Sequence, residues 1–188
     1  MNLMKMMAMK VVRFEGGEIS VYDRSMVLVP TETILEFHGI LEKKVGRAEA
    51  DALMREIGKG LTRHSTKRYM GKKKELRPVF QKLTTGDPSI EMGREVFKMS
   101  GLGDIYIKEV TKDSGKFVVG TKNSPIAKEH LRTRGRSKEP TCSFLLGIIG
   151  GVLDSSKEAE FSASEVRCMA TGLSDECIFE FRKLTRPG

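Results

Sequence analysis

Residues 141–181 read TCSFLLGIIGGVLDSSKEAEFSASEVRCMATGLSDECIFEF, and the way this stretch divides decides the fold. Its first part sets Phe144, Leu145, Ile148, Ile149, Val152 and Leu153 at three- and four-residue spacing. That pattern predicts an apolar helix from Thr141 to about Ser155. Gly147, Gly150 and Gly151 lie inside it. Glycine costs a helix about 1 kcal/mol, so three of them imply close packing against another backbone. The second part predicts two strands, Ala159 to Ala170 and Glu176 to Leu184, around a turn at Thr171–Asp175. On the second strand Cys177, Phe179 and Phe181 share one face. The first strand changes phase: Ala159, Phe161 and Ala163 mark one face, then Val166 and Cys168 mark it with shifted parity. One extra residue near Ser164–Glu165, a β-bulge, accounts for the slip and turns Glu165 toward the cysteine side. The near-symmetric hairpin then sets Cys168 across from Cys177.

Cys142 opens the apolar helix, where a helix N-terminus biases a thiol toward thiolate. Cys142, Glu165, Cys168 and Cys177 together offer three thiolates and a carboxylate, enough for a closed, structural tetrahedral zinc site. The residues alone leave two other readings open. The thiols can be three small buried hydrophobes. Cys168 and Cys177 can form a disulfide, which a reducing compartment disfavours.

Working outward, Glu18 to Pro30 predicts two short strands meeting at Asp23–Arg24. Ile34, Phe37, Leu41 and Val45 predict a helix from Thr31 that Gly46 ends. A second amphipathic helix puts Leu53, Met54, Ile57 and Leu61 inward and the row Arg55, Lys59, Arg63 and Lys67 outward. Further helical stretches are expected at Arg77–Leu83 and from Asp87–Pro88 to Met99. Ile105, Ile107 and Val110, then Phe117 to Val119, read as strands around the turn Asp113–Gly115. Ser124 to Pro140 reads as a long polar, basic loop. The sum is one domain over residues 1–188 of class α+β, a small antiparallel sheet packed against a helical layer. Strands occupy 1–30, helices 31–100, strands 104–120, and the helix with its C-terminal β-hairpin 140–184.

The chain has 188 residues, 39% hydrophobic and 31% charged, which is ordinary globular usage and argues against disorder or a coiled coil. A chain of this length buries roughly 70% of its unfolded surface, so disulfides are not needed to hold a core. The net charge of +8 lies entirely in Lys59–Lys82, where nine Lys or Arg face one acid, Glu75. Arg55, Lys59, Arg63, Lys67, Lys72, Lys73 and Lys74 are thus a solvated face or a surface for nucleic acid or an acidic protein. Aromatic residues are only 6% and Trp is absent, which is thin for base stacking. No apolar run reaches 18 residues, so no membrane span is expected. The start is interrupted by Lys5, Lys10 and Arg13 and lacks the apolar core of a secretory signal. A cytoplasmic location is expected. No G-x-S-x-G, H-E-x-x-H or G-x-G-x-x-G occurs, so enzymatic activity is not expected.

The runs CSFLLGIIGGVL at 142–153 and SEVRCMATGLSDECIFEF at 164–181 resemble the C-terminal half of the vinyl-4-reductase domain. The likeness is specific over residues 140–183. That family is a hydrocarbon-binding module, also found as the sensor of phenol- and xylene-responsive activators. Its fold is similar to TRAPP trafficking subunits and to nitric-oxide-signalling ligand-binding domains. The resemblance implies a structural zinc on Cys142, Glu165, Cys168 and Cys177, and a homodimer. It also implies an apolar small-molecule pocket, for which Val96, Phe97, Phe117, Phe144, Leu145 and Ile148 are the candidate lining. Phenol sensors of the family hold the phenol hydroxyl with a His and a Trp. This chain has no Trp, and no His between His64 and His130, so a phenol pocket of that kind is not expected.

Overall fold

Two helices that meet at a single glycine begin the helical layer. Helix α1 spans Thr31–Val45 and α2 spans Arg47–Gly71, with Gly46 between them at φ 82°, a left-handed backbone that suits glycine. The structure, a computed structural model, describes residues 12–21, 24–71, 94, 97–98, 100–111, 115–157 and 159–184. Ahead of α1, strands β1 (Val12–Glu15), β2 (Glu18–Val21) and β3 (Arg24–Met26) form an antiparallel sheet. The two strands expected there are β2 and β3, and β1 adds a third. The helix expected at 77–83 and Val96 lie outside the described residues. Of the helix expected at 88–99, Arg94, Phe97 and Lys98 are described, and all three are helical.

The second sheet follows: β4 (Asp104–Thr111), β5 (Lys116–Lys122), β6 (Phe161–Arg167) and β7 (Glu176–Lys183). Its order is β4-β5-β7-β6, antiparallel throughout. Helix α3 (Pro125–Arg134) and helix α4 (Ser143–Lys157) lie between β5 and β6. The α+β class with a small antiparallel sheet against helices is thus the observed fold. Among the described residues, no helix is long and apolar enough to cross a membrane.

Helix α3 corrects the reading of 124–140 as a loop. Ser124 Oγ accepts the Ala127 amide and Pro125 takes the first helical position. Ile126 and Ala127 are buried, and Gly135 ends the helix. The positive charge of the segment hid a Ser-Pro start and a Gly stop. Arg134 then ties α3 to α1 through the Leu35 carbonyl at 3.0 Å and Glu36 at 2.7 Å.

Helix α4 is the centre of the core. Leu145, Leu146, Ile148 and Ile149 join Phe161, Phe179, Phe181, Val119 and Ile126 in one buried cluster. Its other side lies on α2, and the two backbones nearly touch. A Cβ on Gly58 would fall on the Phe144 carbonyl, one on Gly147 on the Arg55 carbonyl, and one on Gly151 on Thr62 and Lys59. Thr62 Oγ1 donates to the Ile148 carbonyl at 3.1 Å, and Lys59 pairs with Asp154 at 3.0 Å.

This contact also corrects the expected face of α2. Ala50, Met54 and Gly58 are inward, while Ile57 and Leu61 are 49% and 56% exposed. Arg55 and Lys59 flank the α4 contact and are half-buried; of the basic row, Arg63 is exposed. Gly58 defeated the pattern because glycine carries no hydrophobicity signal yet marks the face of closest approach. Lys67 lies within α2, and Lys72, Lys73 and Lys74 lie outside the described residues.

Candidate metal centre

The hairpin builds one side of the site. Glu165 pairs with Phe179 and Arg167 with Ile178, so Val166 is the extra residue of a bulge. The bulge sits one place later than the sequence suggests, and Val166 is 58% exposed rather than inward. Phe161, Ala163 and Glu165 therefore alternate toward the core, and the inserted Val166 restores Cys168 to the same side. Cys177 lies on the adjacent strand, opposite Thr121 of β5. Cys142, one residue before α4, supplies the other side.

The four donor atoms lie within 4.8 Å of one another. Cys142 Sγ is 3.7 Å from Cys177 Sγ, and Cys177 Sγ is 4.0 Å from Cys168 Sγ. Zinc–sulfur bonds of about 2.3 Å at tetrahedral angles separate two sulfurs by about 3.8 Å. The three cysteines are 0–1% exposed. Glu165 accepts the Cys142 amide at 2.8 Å on Oε2, while its Oε1 is buried without a hydrogen-bond partner. A buried carboxylate oxygen with no donor is costly; a cation among the sulfurs would satisfy it. Ser124 Oγ (3.4 Å from Cys142 Sγ), Thr141 Oγ1 (3.6 Å from Cys168 Sγ) and the Met169 amide (3.3 Å from Cys177 Sγ) surround the sulfurs.

The protonation pattern also fits a cation. Hydrogen bonds from Cys142 and Cys177 hold Cys168 far below the usual thiol range. Cys142 is pushed up by its hydrogen bonds to Cys168 and Cys177 and by burial. Cys177 is drawn down by Cys142, but the Cys168 hydrogen bond, burial and neighbouring charge leave it raised. Burial and then the Cys168 charge push Glu165 up to about 9. A divalent ion among them would draw all four acidic groups into their anionic forms.

A second polar cluster braces the site, and nothing in the linear sequence marked it. Asp51 on α2 receives Ser143 Oγ at 2.7 Å and Arg47 Nε at 3.1 Å, and lies 2.8 Å from His38 Nε2. Arg47 also donates to the Pro140 carbonyl at 2.6 Å. Three helices thus meet at one carboxylate beside Cys142. Burial pushes Asp51 up, but the bonds with His38, Ser143 and Arg47 outweigh it and hold the group at about 2, against an ordinary 3.8. A depressed carboxylate adds stability above its unfolded value, lost as pH falls through its folded value. The stability gap between wild type and Asp51→Asn is therefore expected to be full at pH 7 and to close between about pH 4 and pH 2. Thermal melts of both proteins across that range check it; a gap independent of pH contradicts it.

Of the expected pocket lining, Phe97, Leu145 and Ile148 are buried in the core cluster, with Phe117 and Phe144 packed against it. Phe117 meets Phe161 edge-on at 5.6 Å.

No family model matches the chain. The uncharacterized protein MJ1460 of Methanocaldococcus jannaschii is 29% identical over 97 residues, 51% of this chain. The match spans 56% of that relative's length. The phenol-responsive sensory domain of the transcription activator PoxR, solved with phenol, superposes with a TM-score of 0.73 at 16% identity. It covers 96% of this chain and 88% of the domain. A vinyl-4-reductase family protein from Methanocaldococcus jannaschii gives a TM-score of 0.54 at 19% identity, covering 85% of each chain. This chain shares its fold with these proteins. A trafficking protein particle complex subunit 3 from Naegleria fowleri, covalently bound to palmitic acid, gives 0.54 at 12% identity, covering 82% of this chain and 95% of that one. The likeness read from residues 140–183 thus extends over nearly the whole chain at the level of the fold.

Proposed function

We propose that this protein is a sensor-type small-molecule-binding module. It takes an apolar ligand in the core beside α4 and uses a structural zinc to tie α4 to the C-terminal hairpin. The observation that carries the reading is the convergence of Cys142, Glu165, Cys168 and Cys177 at that junction, in a fold shared with the PoxR sensory domain. Three sulfurs and one oxygen within 4.8 Å of one another favour zinc over harder cations, and four protein donors leave no position for a catalytic water. The aromatic and aliphatic surroundings of Phe97, Phe117, Phe144, Leu145 and Ile148 suit a hydrocarbon or lipid-like molecule bound by apolar burial. No Trp is available to bind a phenol hydroxyl. In this reading the module works as a homodimer. Phe37 and Ile40 lie one turn apart on the outer side of α1 at 60% and 49% exposure, and Val27–Val29 ahead of it are also exposed. Pairing of two copies covers such a surface.

Native mass spectrometry of protein purified without denaturation tests the ligand and the dimer together. Expected are a dimer and a retained apolar molecule that a fluorescent hydrocarbon probe displaces saturably. Phe144→Trp, which would add volume at the wall of the proposed pocket, is expected to weaken the probe about tenfold while the protein still folds. Folded protein with no saturable probe binding contradicts the sensor reading.

A further inference from the structure

A cleft of about 420 Å³ opens beside the metal centre, between α2, the Pro140 turn and β6. Its wall includes Asp51, Arg55, Glu139, Ser143, Ser164 and Glu165. Glu165 is the only one of the four donor residues that borders it; the three cysteines are behind, 0–1% exposed. Asp51 is already held by Arg47, His38 and Ser143, and Glu139 lies 4.0 Å from Arg47. Arg55 is half-buried in this wall, and among the described residues no ion pair or side-chain hydrogen bond holds it. A guanidinium is always charged, and an unpaired one facing a cleft is a receptor for an anion.

We infer that this cleft admits a compact anion carrying a metal-binding donor, which replaces Glu165 on the metal while Arg55 holds its negative end. The inference rests on the metal reading above. The anion is a mercaptocarboxylate: its thiol would lose its proton to solvent, its sulfur would take the coordination position that Glu165 would vacate, and no oxidation state would change. The carboxylate is the displaceable member because it is the one hard donor in the set and the one that borders the opening.

The test uses the cobalt(II)-loaded protein, whose absorption reports thiolate count and geometry, titrated with mercaptoacetate. Expected is a saturable rise in sulfur-to-cobalt charge transfer with cobalt retained on gel filtration. Arg55→Met, which keeps the stem, is expected to need about tenfold more mercaptoacetate. Ser164→Phe, at an exposed position on the rim, is expected to abolish the response. An unchanged wild-type spectrum, equal responses in both variants, or cobalt stripped from the protein each overturns the cleft site. Failure to load tetrahedral cobalt at all overturns the metal reading first, and the two failures are distinguished before any titrant is added.

Discussion

Chelation of the metal, or Cys177→Ser, is expected to lower the melting temperature by about 10–20 °C and to free the hairpin from α4. The size follows from what the site replaces. Without a cation, three cysteines and a carboxylate whose Oε1 has no hydrogen-bond partner stay buried against one another. Structural zinc supplies on the order of 10 kcal/mol to small folds that lack a core of their own. This domain has one, built on Phe161, Phe179 and Phe181. A loss of about 5 kcal/mol is therefore the expectation, and at this chain length each kcal/mol moves the midpoint by about 2–4 °C. The effect is expected to be local. Amide exchange should accelerate first at Cys142–Leu146 and at Arg167–Cys177, where the cysteines anchor the backbone, and last at Phe179–Phe181. Thermal melts with and without chelator, paired with hydrogen exchange, check it. An unchanged melt in metal-free protein contradicts it.

The second large effect is expected from a single methyl group. Gly147→Ala puts a Cβ onto the Arg55 carbonyl, and Gly58→Ala puts one onto the Phe144 carbonyl. Neither obstacle is a flexible side-chain end, so α2 and α4 must separate along their whole contact. The Thr62–Ile148 bond and the Lys59–Asp154 pair would open with it. Overpacking of this kind costs roughly 1–3 kcal/mol or more, which outweighs the gain of about 1 kcal/mol that alanine brings to a helix. Gly150 is the internal control. A Cβ there meets only Lys59 Cε at 3.4 Å and Phe181 Cε1 at 3.6 Å, ordinary contact distances. Gly150→Ala is therefore expected to be neutral or stabilising, while Gly147→Ala, three residues away, lowers the denaturation midpoint sharply. Equal effects from the two would show that the helices are not in backbone contact.

Much of this arrangement was legible in residues 141–181. The apolar period marked α4, its three glycines marked a close backbone neighbour, and the broken parity of Phe161–Cys168 marked a bulge. The parity break could not place the bulge to the residue. Val166 is as apolar as a core residue, and only the pairing of Glu165 with Phe179 and of Arg167 with Ile178 shows that it is the one pushed outward. The positive charge of 124–140 hides the Ser124-Pro125 start and Gly135 stop of α3, and Gly58, which carries no hydrophobicity signal, hides the inward face of α2. The Asp51 cluster left no trace, since His38, Asp51 and Ser143 are brought together only by the packing of three helices.

The most direct test of the account is the metal content of protein purified from cells without added metal or chelator, measured by elemental analysis alongside its Cys177→Ser variant. The account predicts about one zinc per chain in the wild type and a large loss in the variant. Wild-type protein that is folded, carries its three thiols free and holds no stoichiometric metal would contradict it.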